Sequence, residues 1–245
     1  MDLSSLVRSL AEQAVPEPGT GRLRLPTERE LGASLQVSRG SLREQLSMLE
    51  MLGFLDRTQG RGSYLQVPDA GFLRLYFDLS RQLGQLTHDQ FSAAREMLEV
   101  SVAEAAAERV AEDDVAELRA LVDAMVLAAG AGDHERALEA DLAFHRRLFT
   151  VVDNPIFTLM RDGLAHVLRG AIVDRRRLAA EREPQADGSP RPSDAVHYEV
   201  VEALAARDGA AAGAAMRRHF VVWRAVVESA VVGRGVVGCS AISHS

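Results

Sequence analysis

One carboxylate and three imidazole side chains in the second half of the chain have the types and spacing of a metal site. Asp141 and His145 are four residues apart in a predicted helix, so their side chains project from the same face. His197 and His219 lie on two later predicted helices. Imidazole binds zinc, nickel, copper or iron, and the carboxylate adds manganese to these candidates. Spacing alone favours ordinary core or surface residues, because single histidines and Asp-His pairs are common on helices.

A second set of side chains, near the amino terminus, has the chemistry of DNA recognition. Arg39 and Arg43 share the outward face of a predicted helix that begins at Ser38. A guanidinium group can donate to O6 and N7 of guanine together. Ser38 and Ser41, at the helix N-terminus, could bind phosphate oxygens. Taken by itself, the arginine pair is better explained as an ordinary solvated helix face.

The elements predicted around these arginines would present them to a DNA groove. Thr27 followed by Glu30 is a capping-box pattern that starts a short helix, and Ser38 caps the next one. The buried face of this second helix is a leucine stripe, formed by Leu42, Leu46 and Leu49. Two short helices joined by a tight turn predict a helix-turn-helix, with the second helix in the major groove.

A predicted hairpin follows the two helices. Residues 54–58 and 63–67 favour strands, and the tip between them contains Gly60 and Arg61. Arg61 could contact a phosphate or the minor groove, and Arg29 on the preceding helix could reach the backbone or the groove edge. The whole arrangement predicts a winged helix-turn-helix domain over residues 1–68.

The sequence after Pro68 predicts an all-helical domain over residues 71–230. The predicted helices cover residues 71–86, 89–110, 112–129, 134–152, 155–182, 194–207 and 209–230. Residues 184–192 are rich in proline, glycine and polar side chains, and predict a mobile loop. Residues 231–245 have no periodicity and predict a disordered tail. The fold class expected is therefore mostly α, with an antiparallel helical bundle after the winged helix.

Composition narrows the functional classes. Apolar residues make up 47% of the 245 residues, enough for a substantial core, and the formal net charge is −7. Arginine balances the acidic residues in 1–68, whereas the acidic excess lies in the remainder. The single cysteine excludes a disulfide within the chain and fits a cytoplasmic location. No apolar run is long enough for a membrane span, so we expect no membrane partner.

Several motifs in residues 5–67 together resemble the GntR family of bacterial regulators. They are Leu25-Pro26-Thr27-Glu28-Arg29-Glu30-Leu31, Val37-Ser38-Arg39, Leu42-Arg43-Glu44 and Gln59-Gly60-Arg61-Gly62-Ser63. The resemblance implies that Arg29, Arg39 and Arg43 contact DNA. It also implies that the wing lies at residues 59–62.

The helical region resembles the FCD effector domain of the FadR subgroup of these regulators. The motifs are Ala94-Arg95-Glu96-Met97-Leu98-Glu99, Asp141-Leu142-Ala143-Phe144-His145, His197 and Arg218-His219-Phe220. The resemblance implies that a divalent metal is held by four residues, Asp141, His145, His197 and His219. Zinc is the first candidate, with nickel, manganese or iron as alternatives. Arg95 either pairs with Glu99 on the helix surface or binds a carboxylate of the effector.

The combined interpretation is a homodimeric transcription regulator, with repression favoured over activation. It would bind a palindromic double-stranded DNA operator and respond to a small organic-acid effector near the metal. One alternative is an enzyme that uses the Asp/His site for metal-dependent chemistry. Another is a constitutive DNA-binding or scaffolding protein whose helical domain only dimerises.

Overall fold

The computed structural model describes residues 2–58, 62–183 and 189–235. Within these ranges the chain forms ten helices and a four-stranded antiparallel sheet. Two compact units divide after Leu79. The fold class expected from the sequence is confirmed: a winged helix-turn-helix comes first and an all-helical bundle follows. Within the described residues, every helix is too short or too polar to cross a bilayer.

The amino-terminal unit builds its core from leucines on three helices and the sheet. Its elements are α1 Leu3–Gln13, β1 Val15–Pro16, β2 Leu23–Arg24, α2 Glu28–Leu35, α3 Arg39–Met51, β3 Leu55–Thr58, β4 Gly62–Leu65 and the start of α4 Gly71–Gln82, which crosses the boundary at Leu79. The order in the sheet is β1-β2-β4-β3. The buried core residues are Leu6, Leu10, Leu25, Leu31, Leu42, Leu46, Leu49 and Leu55. The leucine stripe predicted on α3 therefore faces this core, which turns the opposite face of α3 outward.

Two details of this unit differ from the sequence-based prediction. The cluster Pro16-Glu17-Pro18-Gly19 predicts only a turn, whereas Val15 and Pro16 form an edge strand paired with Arg24 and Leu23. Proline is tolerated there because an edge strand does not need every backbone N–H. The alternation in Arg22-Leu23-Arg24-Leu25 predicts a strand over 22–25, but only Leu23 and Arg24 belong to β2.

Seven further helices follow, and several of them begin at a side chain that caps backbone N–H groups. They are α4 Gly71–Gln82, α5 His88–Arg109, α6 Glu112–Gly130, α7 His134–Val152, α8 Pro155–Arg182, α9 Pro192–Ala205 and α10 Gly209–Gly235. Thr87 and Gln90 form a capping box at α5, and Asp133 accepts a hydrogen bond from the N–H of Arg136 at α7. Asn154 caps α8, and Pro155 occupies its first turn.

Helix α5 lies at the centre of the helical unit and packs against α7, α8, α9 and α10. Small buried side chains on α5, among them Ala103, Ala106 and Ala107, let the neighbouring helices approach closely. Larger side chains such as Phe144 and Phe149 of α7 fill the space between helices. This packing brings inward-facing residues of α5, α7, α8, α9 and α10 together.

Three helix boundaries differ from the prediction for local reasons. Helix α4 ends at Gln82 rather than residue 86, because Gly84 adopts φ 69° just beyond it. Helix α9 starts two residues earlier than predicted, because Pro192 is well suited to the first helical turn. Helix α10 continues to Gly235, so the predicted disordered tail begins too early. Residues 236–245 of that tail and 184–188 of the predicted loop lie outside the described residues.

Candidate DNA-binding surface and metal centre

Helices α2 and α3 present the predicted DNA-binding arginines at the surface of the amino-terminal unit. The capping box of α2 is formed: the Thr27 side chain accepts from the Glu30 N–H, and the Glu30 carboxylate accepts from the Thr27 N–H at 2.9 Å. Gln36, with φ 54°, makes the tight turn between the helices. Arg29 and Arg39 are both exposed, and Arg39 is the first residue of α3.

Arg43 is exposed but already paired with an acidic side chain. Its Nε donates to Glu28 at 2.9 Å, while Arg57 of the sheet donates to the other oxygen of Glu28 at 2.8 Å. The side chain of Arg43 is nevertheless 72% exposed. Contact with a base through Nε would therefore require Arg43 to leave Glu28, whereas Arg39 needs no comparable change.

The remaining predicted DNA contacts lie around the start of α3 and at the hairpin tip. The Ser38 hydroxyl oxygen accepts a hydrogen bond from the Ser41 N–H at 3.3 Å and so caps α3. Both serines are exposed, and the Ser38 hydroxyl hydrogen is still available to a phosphate oxygen. Gly60 and Arg61, predicted at the tip of the wing, lie outside the described residues.

In the helical unit, three predicted metal ligands come together in the interior. His145 of α7, His197 of α9 and His219 of α10 each offer a ligand atom, and these atoms all lie within 4.8 Å of one another. The three imidazoles are 4%, 0% and 3% exposed. The ring centroids of His197 and His219 are 4.5 Å apart. Residues far apart in sequence therefore form one buried group with the donor chemistry of a zinc or other transition-metal site.

Asp141 completes the group predicted from the sequence. Its Oδ1 lies 3.2 Å from Nε2 of His197 and 3.8 Å from Nε2 of His145. Four atoms here are buried and have no hydrogen-bond partner among the described residues: Oδ1 of Asp141, Nε2 of His145, Nε2 of His197 and Nδ1 of His219. Leaving four such atoms unsatisfied in one place would be costly, and a shared cation would satisfy them together. The residues present thus fit a divalent metal ion.

Polar neighbours orient two of the three imidazoles. Nδ1 of His197 lies 2.9 Å from the backbone oxygen of Asp194. Nδ1 of His145 lies 2.7 Å from Oε2 of Glu99. An acceptor at Nδ1 favours the tautomer with its proton there, which leaves Nε2 as the ligand atom. Both histidines accordingly direct Nε2 toward Asp141.

Burial and neighbouring charges keep these groups in the forms that bind a cation. Burial lowers the pKa of His219 well below its usual range, and nearby His197 and His145 lower it further. Burial alone would raise the pKa of Asp141, but the charge of Arg176 and the contact with His197 hold it well below its usual range. A neutral imidazole and an ionised carboxylate are the forms that metals require.

A network of buried ion pairs surrounds the centre. Arg176 Nη2 lies 3.0 Å from Asp194 and its Nη1 lies 3.5 Å from Asp141. On the other side, Arg95 Nε donates to Glu99 at 2.6 Å. Burial alone would raise the pKa of Glu99, but Arg95 and His145 lower it to about 2. Each buried charge in this network thus has a partner of opposite sign.

Arg95 fits one of the two alternatives considered from the sequence, whereas its binding of an effector carboxylate stays a prediction. It pairs with Glu99, yet this pair is buried rather than on the surface. Arg95 also lines a cavity of about 450 Å³ between α5, α8 and α10. A much smaller space of about 10 Å³ lies beside His219 and Asp141, and Arg95 borders that space as well. Arg95 therefore borders both the small space beside the candidate metal ligands and the large cavity.

Sequence reasoning missed several residues of this region. Arg175, Arg176 and Trp223 line the small space beside the centre, and Arg175 and Trp223 also line the large cavity. His88, to which the sequence assigned no role, lies on the cavity wall. Arg175 and Arg176 belong to an arginine-rich run of α8 whose periodicity does not distinguish inward from outward positions. Only their burial separates them from exposed Arg177.

Two family models match the chain in the same order as its two units. The model for bacterial regulatory proteins of the gntR family matches residues 17–65, and the FCD domain model matches residues 90–221. The FCD match alone covers more than half of the chain. This chain belongs to the GntR family of transcriptional regulators.

Curated relatives and a solved structure agree with this assignment to the GntR family. The HTH-type regulator LutR of Bacillus subtilis is 27% identical over 196 residues, covering 80% of this chain and 87% of LutR. The regulator YcbG of the same organism is 30% identical over 208 residues, covering 83% and 82%. The repressor NanR of Cronobacter sakazakii is 28% identical over 213 residues, covering 82% and 77%. A Streptococcus agalactiae GntR structure covers 91% of this chain and 97% of its own, with a TM-score of 0.61 and 26% identity.

Membership of the GntR family assigns a role to each unit. Helices α2 and α3, with Arg29, Arg39 and Arg43, lie within the gntR match, so this unit is the DNA-binding part of a transcription regulator. The histidine group lies within the FCD match, the effector-binding domain. The alternative of a metal-dependent enzyme is set aside, because the family and the named relatives are regulators.

Proposed function

We propose that this GntR-family regulator binds a divalent metal through Asp141, His145, His197 and His219. The observation that carries this proposal is the set of four buried, unsatisfied ligand atoms on three helices. Zinc is the first candidate, since imidazole nitrogen with one carboxylate oxygen is a common zinc donor set. When bound, the metal supplies a Lewis-acidic centre that can accept a carboxylate oxygen.

The charge around the site supports an acidic effector. Three buried or half-buried guanidinium groups, Arg95, Arg175 and Arg176, lie near three buried carboxylates. These carboxylates are Glu99, Asp141 and Asp194. A divalent cation added to this balanced set leaves an excess of positive charge in a site screened from water. A small organic acid would neutralise that excess, with its carboxylate beside Arg95.

DNA binding is proposed to use Arg39 first, with Arg29, Ser38, Ser41 and Arg43 in support, and Gly60 and Arg61 at the wing. Arg39 is exposed at the N-terminal end of α3, the part of a recognition helix that enters the major groove. We further propose a homodimer, because two copies of one reading helix match a palindromic operator. Repression is the favoured mode, as in the relative named as the repressor NanR.

The effector would act by stabilising one arrangement of the dimer over another. Its effect on operator affinity can be no larger than its preference for one of the two arrangements. The metal and Arg95 would hold the acid. Only the structural difference between the acid-bound and acid-free states could then affect DNA binding.

A thermal-shift screen of organic acids, with and without a metal chelator, tests this proposal. Trp223 is the only tryptophan in the chain and lies against the site, so its fluorescence follows the helical unit. We expect a bound acid to raise Tm in the metal-loaded chain, and expect the rise to shrink strongly after EDTA treatment. An equal rise in metal-free protein would show that the metal is not part of the effector site.

A further inference from the structure

The large cavity between α5, α8 and α10 contains one cationic end and one apolar wall. Arg95, Arg175 and Trp223 border both this cavity and the small space beside His219, so the cationic end lies next to the metal centre. Apolar side chains form much of the remaining lining: Leu168, Ala171, Leu178, Phe220 and Val227, together with Trp223. At about 450 Å³, the cavity has the size of a small-molecule site.

Arg175 differs from the other two arginines because it lacks an acidic partner. Arg95 pairs with Glu99, and Arg176 with Asp194 and Asp141. In the described part of the chain, Arg175 contacts the ring of Trp223, with 5.8 Å from Cζ to the centroid, and no carboxylate pairs with it. Burial and the charge of Arg95 lower the pKa of Arg175 to about 10, which leaves it charged near neutral pH. A half-buried, unpaired guanidinium is a receptor for an anion.

The lining of the cavity also contains three acidic side chains, Asp89, Glu96 and Asp174, together with His88 and Arg224. Arg224 is already paired with Glu96, and Asp174 is paired with Arg177. A second carboxylate on a ligand would have to lie near these acids, displace Glu96 from Arg224, or lie against the apolar wall. Each of these would cost binding energy, so the cavity disfavours diacids and heavily hydroxylated acids.

We infer that the effector is a monocarboxylic acid with an apolar body. Its carboxylate is bound by Arg175 beside the metal, and its body lies along the apolar wall from Leu178 to Trp223. This inference rests on the proposed function, since it presumes an acidic effector in the helical unit. It adds the class of acid, and it adds Arg175 to Arg95 and the metal as a group that binds the carboxylate.

Isothermal titration of the zinc-loaded full chain with matched acids tests the class of ligand. Hexanoate and gluconate have the same number of carbons and differ in hydroxylation, while octanoate and suberate differ by one carboxylate. Burial of each extra methylene strengthens binding about fourfold, so octanoate is expected to bind about 15-fold more tightly than hexanoate. Gluconate is expected to bind more weakly than hexanoate, and suberate more weakly than octanoate.

Two substitutions separate the cationic end from the apolar wall. Arg175→Gln is expected to weaken the binding of every acid about tenfold or more. Arg175→Lys is expected to restore part of the affinity, because lysine keeps the charge without the planar guanidinium fork. Leu178→Ser is expected to weaken the binding of octanoate more than the binding of hexanoate. Leu127→Ser alters a leucine that is 76% exposed and does not line the cavity, and should leave both acids unchanged.

The outcomes distinguish the inference from the proposed function. Tighter binding of gluconate than hexanoate, or of suberate than octanoate, would overturn the apolar monoacid and leave metal-dependent acid binding intact. Unchanged affinities in folded Arg175→Gln would overturn the role of Arg175. If no acid of either kind bound to zinc-loaded protein, both the inference and the acidic effector of the proposed function would fail.

Discussion

The two units carry their functional charges in opposite ways. In the amino-terminal unit the candidate DNA contacts lie on the surface, with Arg39 exposed and the Arg43 side chain 72% exposed. In the helical unit the candidate ligands and their partners are interior, and Arg176 is only 8% exposed. Exposed charges contribute little to folding, whereas buried charges depend on their partners. Function should therefore be separable from stability in the first unit and coupled to it in the second.

The largest expected effect is the loss of a buried ion-pair partner. Arg176→Met removes the cationic partner of Asp141 and Asp194, and should lower the free energy of unfolding of the metal-free helical unit by about 3–5 kcal/mol. Urea unfolding followed by Trp223 fluorescence measures this change. Arg177→Met is the matched control, because Arg177 is exposed and its pairs with Asp174 and Glu181 lie on the surface. It should change stability by less than about 1 kcal/mol; equal losses in the two variants would remove the distinction between buried and surface pairs.

Metal removal is expected to have the next largest effect. Zinc at about 100 times its dissociation constant should raise the free energy of unfolding of the helical unit by about 2.7 kcal/mol. His219→Ala should abolish this stabilisation and reduce the metal content measured by mass spectrometry. His166→Ala replaces an exposed histidine outside the group and should change neither quantity. Retention of a full complement of metal by folded His219→Ala would exclude His219 as a ligand.

In the amino-terminal unit, Arg39→Ala should affect DNA binding alone. Loss of a bidentate contact to a base is expected to weaken specific operator binding by about 1–3 kcal/mol. The metal content and the urea unfolding followed by Trp223 fluorescence should not change. Arg8→Ala removes an equal charge from an exposed position on α1 and serves as the control in the same gel shift. A similar loss in both variants would indicate general electrostatics instead of base recognition.

The smallest expected effect concerns the start of α2. Thr27→Ala removes the side-chain half of the capping box, leaves the backbone N–H of residue 27 to donate to Glu30, and should destabilise the helix by about 1 kcal/mol. Hydrogen exchange of the α2 backbone amides in the full chain should become about fivefold faster. Thr27→Ser keeps the capping oxygen and should exchange at close to the original rate. Equal rates in all three proteins would mean that the cap contributes nothing measurable.

Local signals in the sequence predicted much of the fold. Thr27 with Glu30, Thr87, and Asn154 with Pro155 mark helix starts by chemistry that acts within a few residues, so those starts were found closely. The end of α10 was missed because residues 231–235, with Gly233 among them, show no periodicity, although the helix continues through them to Gly235. Edge strand β1 was missed because two residues are too few to show periodicity.

The candidate site was only partly predictable. The four predicted ligands were named by their residue types and by family resemblance, and they do meet in the structure. Arg175, Arg176 and Asp194 were not found, because their role depends on which face of α8 and α9 turns inward. That is decided by packing against α5, α7 and α10, and the sequence of α8 alone has arginines on several faces.

The most direct test of the central claim is the affinity of the zinc-loaded chain for its own operator duplex. Fluorescence anisotropy would measure this affinity with and without a saturating acid identified by the thermal-shift screen. If occupancy of the helical unit controls DNA binding, the dissociation constant should change by about 5- to 150-fold. An identical dissociation constant in the presence of demonstrably bound acid would contradict the account.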